Sequence, residues 1–249
     1  NYSVLNGGKR IRPQLVLLMA EALKVDVSPK TIDLMAASGE QIHCYSLIHD
    51  DLPSMDDDDF RRGKLSCHKK FDEATAVLAG DMFQVLSIKT LAESKHLSPN
   101  QKVETIKMLS RANGLEGLIA GQSLDIYMKK QSSVKDIETM YLLKTGALFS
   151  VCFNLLLTVK KLSTQKRKDL KVIGDTIGKI FQVTDDMLDR WGDEKKVGKK
   201  INKDSKKANI AYKYNHKDCL KYLHQIQNKN YQALRKFFAN NKQALVYMS

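Results

Sequence analysis

The sequence is poor in the residues that build disulfide frameworks and interdomain linkers. Its 249 residues include only four cysteines and four prolines. The cysteines are far apart and form no CxxC pair, so neither a disulfide framework nor a zinc site is expected, and a reducing compartment such as the cytoplasm is favoured. The scarcity of proline and the lack of Gly/Ser-rich stretches predict a single domain over residues 1–249.

Long hydrophobic runs are also missing. The longest apolar stretch, Ala147 to Val159, is interrupted by Ser150 and Asn154. It is too short to cross a bilayer, so no membrane span is expected. Apolar residues nevertheless make up 43% of the chain, an ordinary share for a globular protein that excludes a disordered one.

Acidic residues are outnumbered by basic ones, 28 to 41, for a formal net charge of +13. Such a balance is typical of proteins that bind nucleic acids, membranes or anionic substrates. A solvated, lysine-rich surface is the simpler interpretation, because much of the excess lies in short basic runs such as Lys166-Arg167-Lys168, between or at the ends of helical patterns.

Apolar residues recur with helical spacing along almost the whole chain, and no segment alternates with the period of a strand. The pattern therefore predicts an all-α protein. Glycines at 114, 117 and 121 mark possible kinks. The predicted helices run from Pro13 to Leu23, Pro29 to Pro53, Glu73 to Ser94, Pro99 towards Lys129, Ser133 to Val159 and Lys166 to Trp191, and over 208–227 and 229–247.

A first cluster of carboxylates lies in the segment HDDLPSMDDDD (49–59), where six aspartates occupy ten positions. Unneutralised carboxylates this close together repel strongly. A solvated acidic loop is one interpretation, but the cluster ends an otherwise apolar helix and is followed at once by Arg61 and Arg62. Hard cations such as Mg²⁺ bind carboxylate oxygens together with phosphate oxygens. The segment therefore indicates a site for metal ions and a diphosphate.

A second cluster lies in FQVTDDMLD (181–189). At 3.6 residues per turn, Asp185 and Asp189 share one helix face, and Gln182 lies one turn before Asp185 on that face. Either cluster alone would fit a charged surface as well as a metal site. Two clusters, both at helix ends, favour two metal-binding walls that face one cavity.

Basic residues that would complement these carboxylates occur in two segments. GGKRIRP (7–13) places cations and glycine backbone ahead of a helix N-terminus, where anions are favoured. Lys144-Thr145-Gly146 lies inside a predicted helix, where glycine costs stability. Close approach of a substrate would explain Lys144 and Gly146, and an exposed lysine beside a packing glycine explains them equally well.

Taken in order, these segments resemble the trans-isoprenyl diphosphate synthases, the polyprenyl synthetase family. Two aspartate motifs together with an arginine pair are highly specific, and the likeness covers essentially the whole chain. It is carried by GGKRIRP (7–13), HCYSLIHDDLPSMDDDDFRRG (43–63), CHKKFDEATAVLAGD (67–81), KTGALF (144–149) and FQVTDDMLD (181–189). The resemblance implies one all-helical bundle around a deep central cavity, and a homodimer.

The resemblance also implies roles for individual residues. Up to three Mg²⁺ ions would be bound by the first-cluster residues Asp50, Asp51 and Asp56 and the second-cluster residues Asp185, Asp186 and Asp189. The isopentenyl diphosphate pocket would be formed by Lys9, Arg12, His43 and Arg62. The allylic diphosphate would be contacted by Arg61, Lys144, Thr145, Gln182 and Lys199. The catalytic set would be Asp50, Asp51, Asp56, Arg61, Lys144, Thr145, Gln182, Asp185 and Lys199.

The reaction implied by the resemblance joins isopentenyl diphosphate to an allylic diphosphate, dimethylallyl or geranyl. Metal ions and cationic side chains stabilise the departing diphosphate. The isopentenyl double bond then attacks the allylic cation, and a proton is lost. No protein nucleophile is needed, and no Ser-His-Asp or Cys-His arrangement is evident in the sequence.

Product length is expected to depend on Tyr45 and Ser46. At a helix rise of about 1.5 Å per residue, Tyr45 lies roughly 7–8 Å along the helix from Asp50. A bulky aromatic there, with Ser46 beside it, would close the pocket early. In similar enzymes this combination, with the longer spacing DDxxxxD in the first motif, goes with a fifteen-carbon product. Farnesyl diphosphate is therefore the expected product, and geranylgeranyl diphosphate is the alternative.

The chain departs from the family pattern at two places. Residues 201–209 are about two residues short of the bacterial pattern and lack its Thr-Tyr-Pro, and Lys207 is the best match for the lysine of that segment that binds substrate. The family's N-terminal helix is expected to be missing, because the chain begins nearly at GGKR.

Three other functions are weighed against prenyl transfer. A magnesium-dependent terpene cyclase would not need an isopentenyl diphosphate site, which Lys9, Arg12, His43 and Arg62 indicate. A non-catalytic scaffold subunit of the same fold is disfavoured by the two intact aspartate clusters. A helical nucleic-acid-binding protein would need a continuous basic face, which acidic clusters interrupt, so nucleic acid is not an expected partner.

Overall fold

A computed structural model describes residues 1–5, 7–193 and 207–238. The described chain is helical almost throughout, with one small antiparallel hairpin, which confirms the all-α class. The elements are α1 (Tyr2–Leu5), α2 (Ile11–Ala22), α3 (Pro29–Asp50), β1 (Phe60–Arg61), β2 (Lys64–Leu65), α4 (Cys67–Lys70), α5 (Glu73–Ala92), α6 (Pro99–Asn113), α7 (Leu118–Tyr127), α8 (Val134–Tyr141), a π-helical turn (Leu142–Gly146), α9 (Ala147–Asn154), a 3₁₀ turn (Leu155–Thr158), α10 (Thr164–Trp191), α11 (Ile210–Lys213) and α12 (His216–Phe237).

Helix starts lie close to where the capping residues predict them. α3 begins at Pro29, directly after Ser28. α6 and α8 both open with a capping box, in which the Ser98 or Ser133 hydroxyl accepts from the amide three residues on and that residue's side chain accepts in return. These reciprocal bonds satisfy amides that a helix start would otherwise leave unpaired.

Two helix predictions were wrong. The helix predicted from Pro99 towards Lys129 is two helices, because the chain breaks at Gly114–Gly117, where a side chain on Gly117 would lie 2.0 Å from the Ala112 carbonyl oxygen. The two helices predicted over 208–227 and 229–247 are instead the short α11 and one long helix, α12, which runs through residue 229 to Phe237. No glycine or proline interrupts its apolar face, and residues beyond 238 lie outside the description.

The helix predicted from Ser133 to Val159 is continuous but not uniform, since the π-helical turn lies at its middle. Its described extent, Val134–Thr158, is long and apolar enough to cross a membrane by length and composition. However, 72% of its most apolar window is buried inside the protein, against α2, α6 and α10. It is therefore the central core helix of the bundle, not a membrane span.

The core lies around α3, α9 and α10. α3 packs between α2 and α5, and α10 packs between α9 and α12. Their buried contacts include Met35, Phe153 and Ile173, each fully enclosed. Because α3 ends at the first aspartate cluster and α10 ends at the second, this packing holds both clusters at the same end of one bundle.

Candidate functional site

A cavity of about 740 Å³ lies between the C-terminal end of α3, α7, the π-helical turn and α10. Most predicted site residues line it. Those on its wall are Lys9, Arg12, His43, Ser46, Asp50, Asp56, Arg61, Arg62, Lys144, Thr145, Gln182, Asp185, Asp186, Asp189 and Lys207. Asp51 and Tyr45 are buried beside it, and Lys199 lies outside the described residues.

The first wall comes from one face of α3 and the loop that follows it. His43, Leu47 and Asp50 line the cavity at helical spacing. The loop then folds back, so that the Asp56 amide donates to the Asp50 carbonyl oxygen over 2.9 Å. Burial raises the pKa of Asp50 to about 6, and the charge of Lys144 opposes that rise. Asp50 is therefore a carboxylate that gains from an additional cation.

Asp51 faces away from this wall. Only 2% of it is exposed, and it accepts from Arg61 Nε over 2.9 Å and from a second nitrogen of the same guanidinium. Arg61 also donates to Asp58 over 3.2 Å. Bidentate pairing of this kind holds the arginine in one orientation. In this arrangement Asp51 positions Arg61 at the cavity rather than lining the cavity itself.

A tight turn presents the two arginines. β1 pairs with β2 through a two-residue turn at Arg62 and Gly63, whose φ angles are 55° and 75°. Turns with positive φ at both central residues match the twist of a two-stranded hairpin. Arg62 then reaches back to donate to the Gly7 carbonyl oxygen over 2.8 Å. A side chain on Gly8 would lie 2.6 Å from the Arg62 guanidinium carbon, so a larger residue there would displace the arginine from this position.

The side of the cavity near GGKR is rich in cations. Arg12 is 7% exposed, its guanidinium lies 4.3 Å from the Phe149 ring centre, and its buried Nε has no hydrogen-bond partner within the described part of the chain. Burial, followed by the charges of Arg12, Arg62 and two further arginines, lowers the pKa of His43 well below 6.5. His43 is therefore neutral, and this side of the cavity favours an anionic ligand.

Two residues on α7, Gln122 and Asp125, also line the cavity, although sequence reasoning missed them. Asp125 accepts from Lys144 Nζ over 2.5 Å and from Lys207 Nζ over 3.4 Å. Lys207 also donates to Asp56 over 2.7 Å. The pair is spaced i, i+3 after Gly121, a signal that could have placed both on one helix face.

Neither interpretation of Lys144 and Gly146 holds in full: Lys144 is not exposed, and Gly146 does not face the cavity. It is largely buried at the cavity and paired with Asp125, whereas Gly146 packs against α10. A side chain on Gly178 would lie 2.4 Å from the Gly146 Cα, so the two glycines let the π-helical turn approach α10 closely. Gly146 is thus a packing glycine, and Lys144 lines the cavity.

The second wall is a hydrogen-bonded array on α10. Thr145 Oγ1 donates to Gln182 Oε1 over 2.7 Å, and Gln182 Nε2 donates to Asp186 Oδ1 over 3.0 Å. The Tyr141 hydroxyl also donates to Asp186 and accepts from the Ile210 amide. These contacts hold Asp186, which is 3% exposed, in one orientation.

The donor set fits a divalent cation with phosphate co-ligands. In the part of the chain that the structure describes, no three acidic, histidine or cysteine side chains converge into a complete metal site. Mg²⁺ typically takes one or two carboxylates and fills its remaining positions with water and substrate phosphate. Asp50 and its neighbour Asp56 on one wall, and Asp185 on the other, match that requirement.

The sequence is similar to those of known proteins. The polyprenyl synthetase family model matches residues 1–245. The chain is 43% identical over 206 residues to farnesyl diphosphate synthase of Haemophilus influenzae, covering 82% of this chain and 69% of that protein. It is 41% identical over 217 residues to farnesyl diphosphate synthase of Escherichia coli, covering 85% and 71%.

Two solved structures share the fold. Geranyltransferase from Legionella pneumophila superposes with a TM-score of 0.86 at 38% identity, covering 99% of this chain and 82% of that one. Geranyltransferase from Helicobacter pylori, complexed with magnesium and isoprenyl diphosphate, also has a TM-score of 0.86, at 33% identity, covering 98% and 84%. One aspartate motif lies on each of the two cavity walls. Together with the family-model match over residues 1–245, this shows that the chain belongs to the polyprenyl synthetase family.

Proposed function

We propose that this protein is a magnesium-dependent trans-prenyltransferase that condenses isopentenyl diphosphate with dimethylallyl or geranyl diphosphate to make farnesyl diphosphate. The observation that carries the proposal is the placement of two carboxylate walls and a set of cationic side chains around one cavity of about 740 Å³. The names of the relatives support it, since the two described above are farnesyl diphosphate synthases.

The metal would be held by the carboxylates that line the cavity. Asp50 and Asp56 would serve one side, and Asp185, with Asp186 and Asp189, the other, for up to three ions. When bound, Mg²⁺ supplies Lewis-acid stabilisation of the departing diphosphate. Asp51 is assigned a different task, because it is enclosed with Arg61, and its role is to hold that guanidinium towards the allylic diphosphate.

The protein's own side chains bind and orient the two substrates. Arg12, Arg62 and Lys9 would bind isopentenyl diphosphate, with neutral His43 as a hydrogen-bonding partner. Lys144, Thr145, Gln182 and Arg61 would bind the allylic diphosphate, together with Lys199 and Lys207. Fixed positive charges aimed at a leaving group act strongly in a cavity that excludes water. The proton lost after condensation would leave with the released diphosphate.

Chain length would be limited by Tyr45 with Ser46 beside it. Ser46 lines the cavity, and Tyr45, one residue earlier on α3, is buried with 3% of its surface exposed. A ring enclosed at this level would block growth beyond fifteen carbons. Replacing Tyr45 with alanine should therefore shift the products towards geranylgeranyl diphosphate.

One assay tests the proposed function. Purified protein is incubated with Mg²⁺, isopentenyl diphosphate and geranyl diphosphate, and the products are identified by mass spectrometry. We expect linear farnesyl diphosphate, and no turnover after chelation with EDTA until Mg²⁺ is restored. Hydrocarbon formed from geranyl diphosphate alone would indicate a cyclase, and no turnover under any condition would indicate a scaffold subunit; either result contradicts the proposal.

We also propose that the protein works as a homodimer through α5. Leu78, Met82 and Val85 lie on one face of this helix and are 67%, 52% and 65% exposed. A contiguous apolar face of this kind marks a protein interface. Replacing Val85 with glutamate should give a monomer by sedimentation equilibrium. The same change at the exposed Val103 of α6 is the control, and a monomeric unmodified protein would refute the proposal.

The cytoplasm is the proposed location. Cys44, Cys67, Cys152 and Cys219 are all buried free thiols, with no disulfide among the described residues. Free thiols persist in reducing compartments.

A further inference from the structure

A chain of side-chain hydrogen bonds lies below the first aspartate wall and ends on Tyr45. The Tyr45 hydroxyl donates to Asn113 Oδ1 over 2.5 Å. Asn113 Nδ2 in turn donates to Gln84 Oε1 over 3.1 Å. These two hydrogen bonds therefore link three helices, α3, α6 and α5, and end on the residue proposed to close the cavity.

Tyr45 is also held from a second side. The His49 ring, one turn further along α3, meets the Tyr45 ring edge to face with centres 5.7 Å apart. His49 is itself fixed, since its Nε2 lies 3.0 Å from the Val77 carbonyl oxygen. A side chain on Gly80 would lie 2.0 Å from that nitrogen, so α5 packs directly against the imidazole. The ring of Tyr45 is thus enclosed, and its hydroxyl is its polar attachment.

We infer that Asn113 is a specificity-determining positioning residue, which anchors the hydroxyl of Tyr45 so that the ring stays across the end of the cavity and stops chain growth at fifteen carbons. The inference rests on the proposed function and deepens it. Asn113 lies at the C-terminal end of α6, outside both aspartate motifs and away from the lining of the cavity.

The physical reason is that a longer product requires the ring to turn aside. Turning it breaks the bond to Asn113 and leaves the buried Tyr45 hydroxyl and the half-buried Asn113 amide oxygen without this partner, which is unfavourable. Burial raises the pKa of Tyr45, so its hydroxyl remains protonated and able to donate. Without the anchor, the ring would turn aside at lower cost, and the ratio of twenty-carbon to fifteen-carbon product should rise about tenfold.

The experiment compares product ratios by mass spectrometry, using isopentenyl diphosphate and geranyl diphosphate with each variant. Asn113→Leu removes the acceptor while keeping the length and branching of the side chain, and Tyr45→Phe removes the donor while keeping the ring. Each should raise the twenty-carbon share by a similar factor. The double variant should raise it no further than either single one, because the bond between Tyr45 and Asn113 is lost in all three.

Conservative and positional controls separate anchoring from general damage. Asn113→Asp keeps an oxygen that can accept from the Tyr45 hydroxyl and should retain the fifteen-carbon product. Ser110→Ala, exposed one turn earlier on α6, should also retain it. Loss of turnover without a change of product ratio in Asn113→Leu would point to a merely structural role and would overturn the inference.

The remaining outcomes identify which statement fails. If Tyr45→Ala lengthens the product while Asn113→Leu and Tyr45→Phe do not, ring volume alone limits the chain and the anchoring role is wrong. If Tyr45→Ala also leaves the product unchanged, both the floor and its anchor are wrong, although prenyl transfer stands. If the unmodified protein makes no linear diphosphate, the proposed function fails and the inference fails with it.

Discussion

Replacing Gly121 with alanine should push α7 away from the π-helical turn and disable the cavity without changing any side chain on its wall. An added Cβ at this position would lie 2.0 Å from the Lys144 amide nitrogen and 2.4 Å from its Cα. Both neighbours are backbone atoms of a packed helical turn, so they cannot rotate out of the way. The two segments have to separate.

The size of the separation follows from ordinary contact distances. Carbon atoms pack at roughly 3.5–4.0 Å, so relieving the clash requires a shift of about 1.5 Å. α7 carries Asp125, which lies 2.5 Å from Lys144 Nζ and 3.4 Å from Lys207 Nζ. A displacement of this size stretches both ion pairs and moves the lysines relative to the diphosphate.

The substitution should affect stability and rate to different extents. Overpacking costs about 1–3 kcal/mol, and for a chain of this length each kcal/mol lowers Tm by roughly 2–4 °C. A misplacement of about 1 Å can reduce the rate of a positioned reaction by around 100-fold. Gly121→Ala should therefore remain folded but lose most of its kcat.

Thermal unfolding followed by circular dichroism, with steady-state kinetics on the same preparations, provides the test. Gly39→Ala is the matched control, because it is also a glycine inside a buried helix and its added Cβ would meet only Cys152 Sγ at 3.9 Å. We expect that control to keep its kcat and to gain slightly in Tm from better helix propensity. If Gly121→Ala matched the unmodified protein in both Tm and kcat, the close contact would not hold the site together.

Two further predictions concern single side chains. Asp51→Asn should lower the free energy of unfolding by about 2–4 kcal/mol, because it breaks a buried charge pair with Arg61. The control is Glu104→Gln, which loses only an exposed pair with Lys107 and should cost under about 0.5 kcal/mol. Equal urea midpoints for the two variants would refute the prediction for Asp51. For His43, the lowered pKa makes the ring neutral from about pH 6.5 upwards, so the KM for isopentenyl diphosphate should show no titration of His43 between about pH 6.5 and 9. His43→Gln should leave that pH profile of KM unchanged. If KM titrated in this range and His43→Gln removed the titration, the assignment of a neutral His43 would be wrong.

The sequence by itself was enough to predict the fold class and most of the cavity wall. Helical periodicity and capping residues such as Ser98 and Ser133 act locally, so they are legible within a few residues. The carboxylates Asp50 and Asp185 could also be identified locally, because each lies in a dense cluster at the end of an apolar helix.

Where local signals conflicted, the helices were predicted less well. The sequence predicts only a kink between α6 and α7, because three glycines within eight residues do not say which one interrupts the helix. Only packing decided that α6 ends before Gly114, that α7 begins after Gly117 and that Gly121 contacts the π-helical turn. The hairpin that turns at Arg62 and Gly63 has strands of only two residues, too short to show the alternating pattern of a β-strand.

The tertiary structure alone decided which groups pair with which. Nothing in the order of residues shows that Asp51 is enclosed with Arg61, or that Asp125 joins Lys144 and Lys207. Those partners come from different helices, loops and a strand, and the distances between them depend on how closely these backbones approach. Sequence spacing determines which face of a helix a side chain occupies, but the packing of one helix against another determines what that side chain meets.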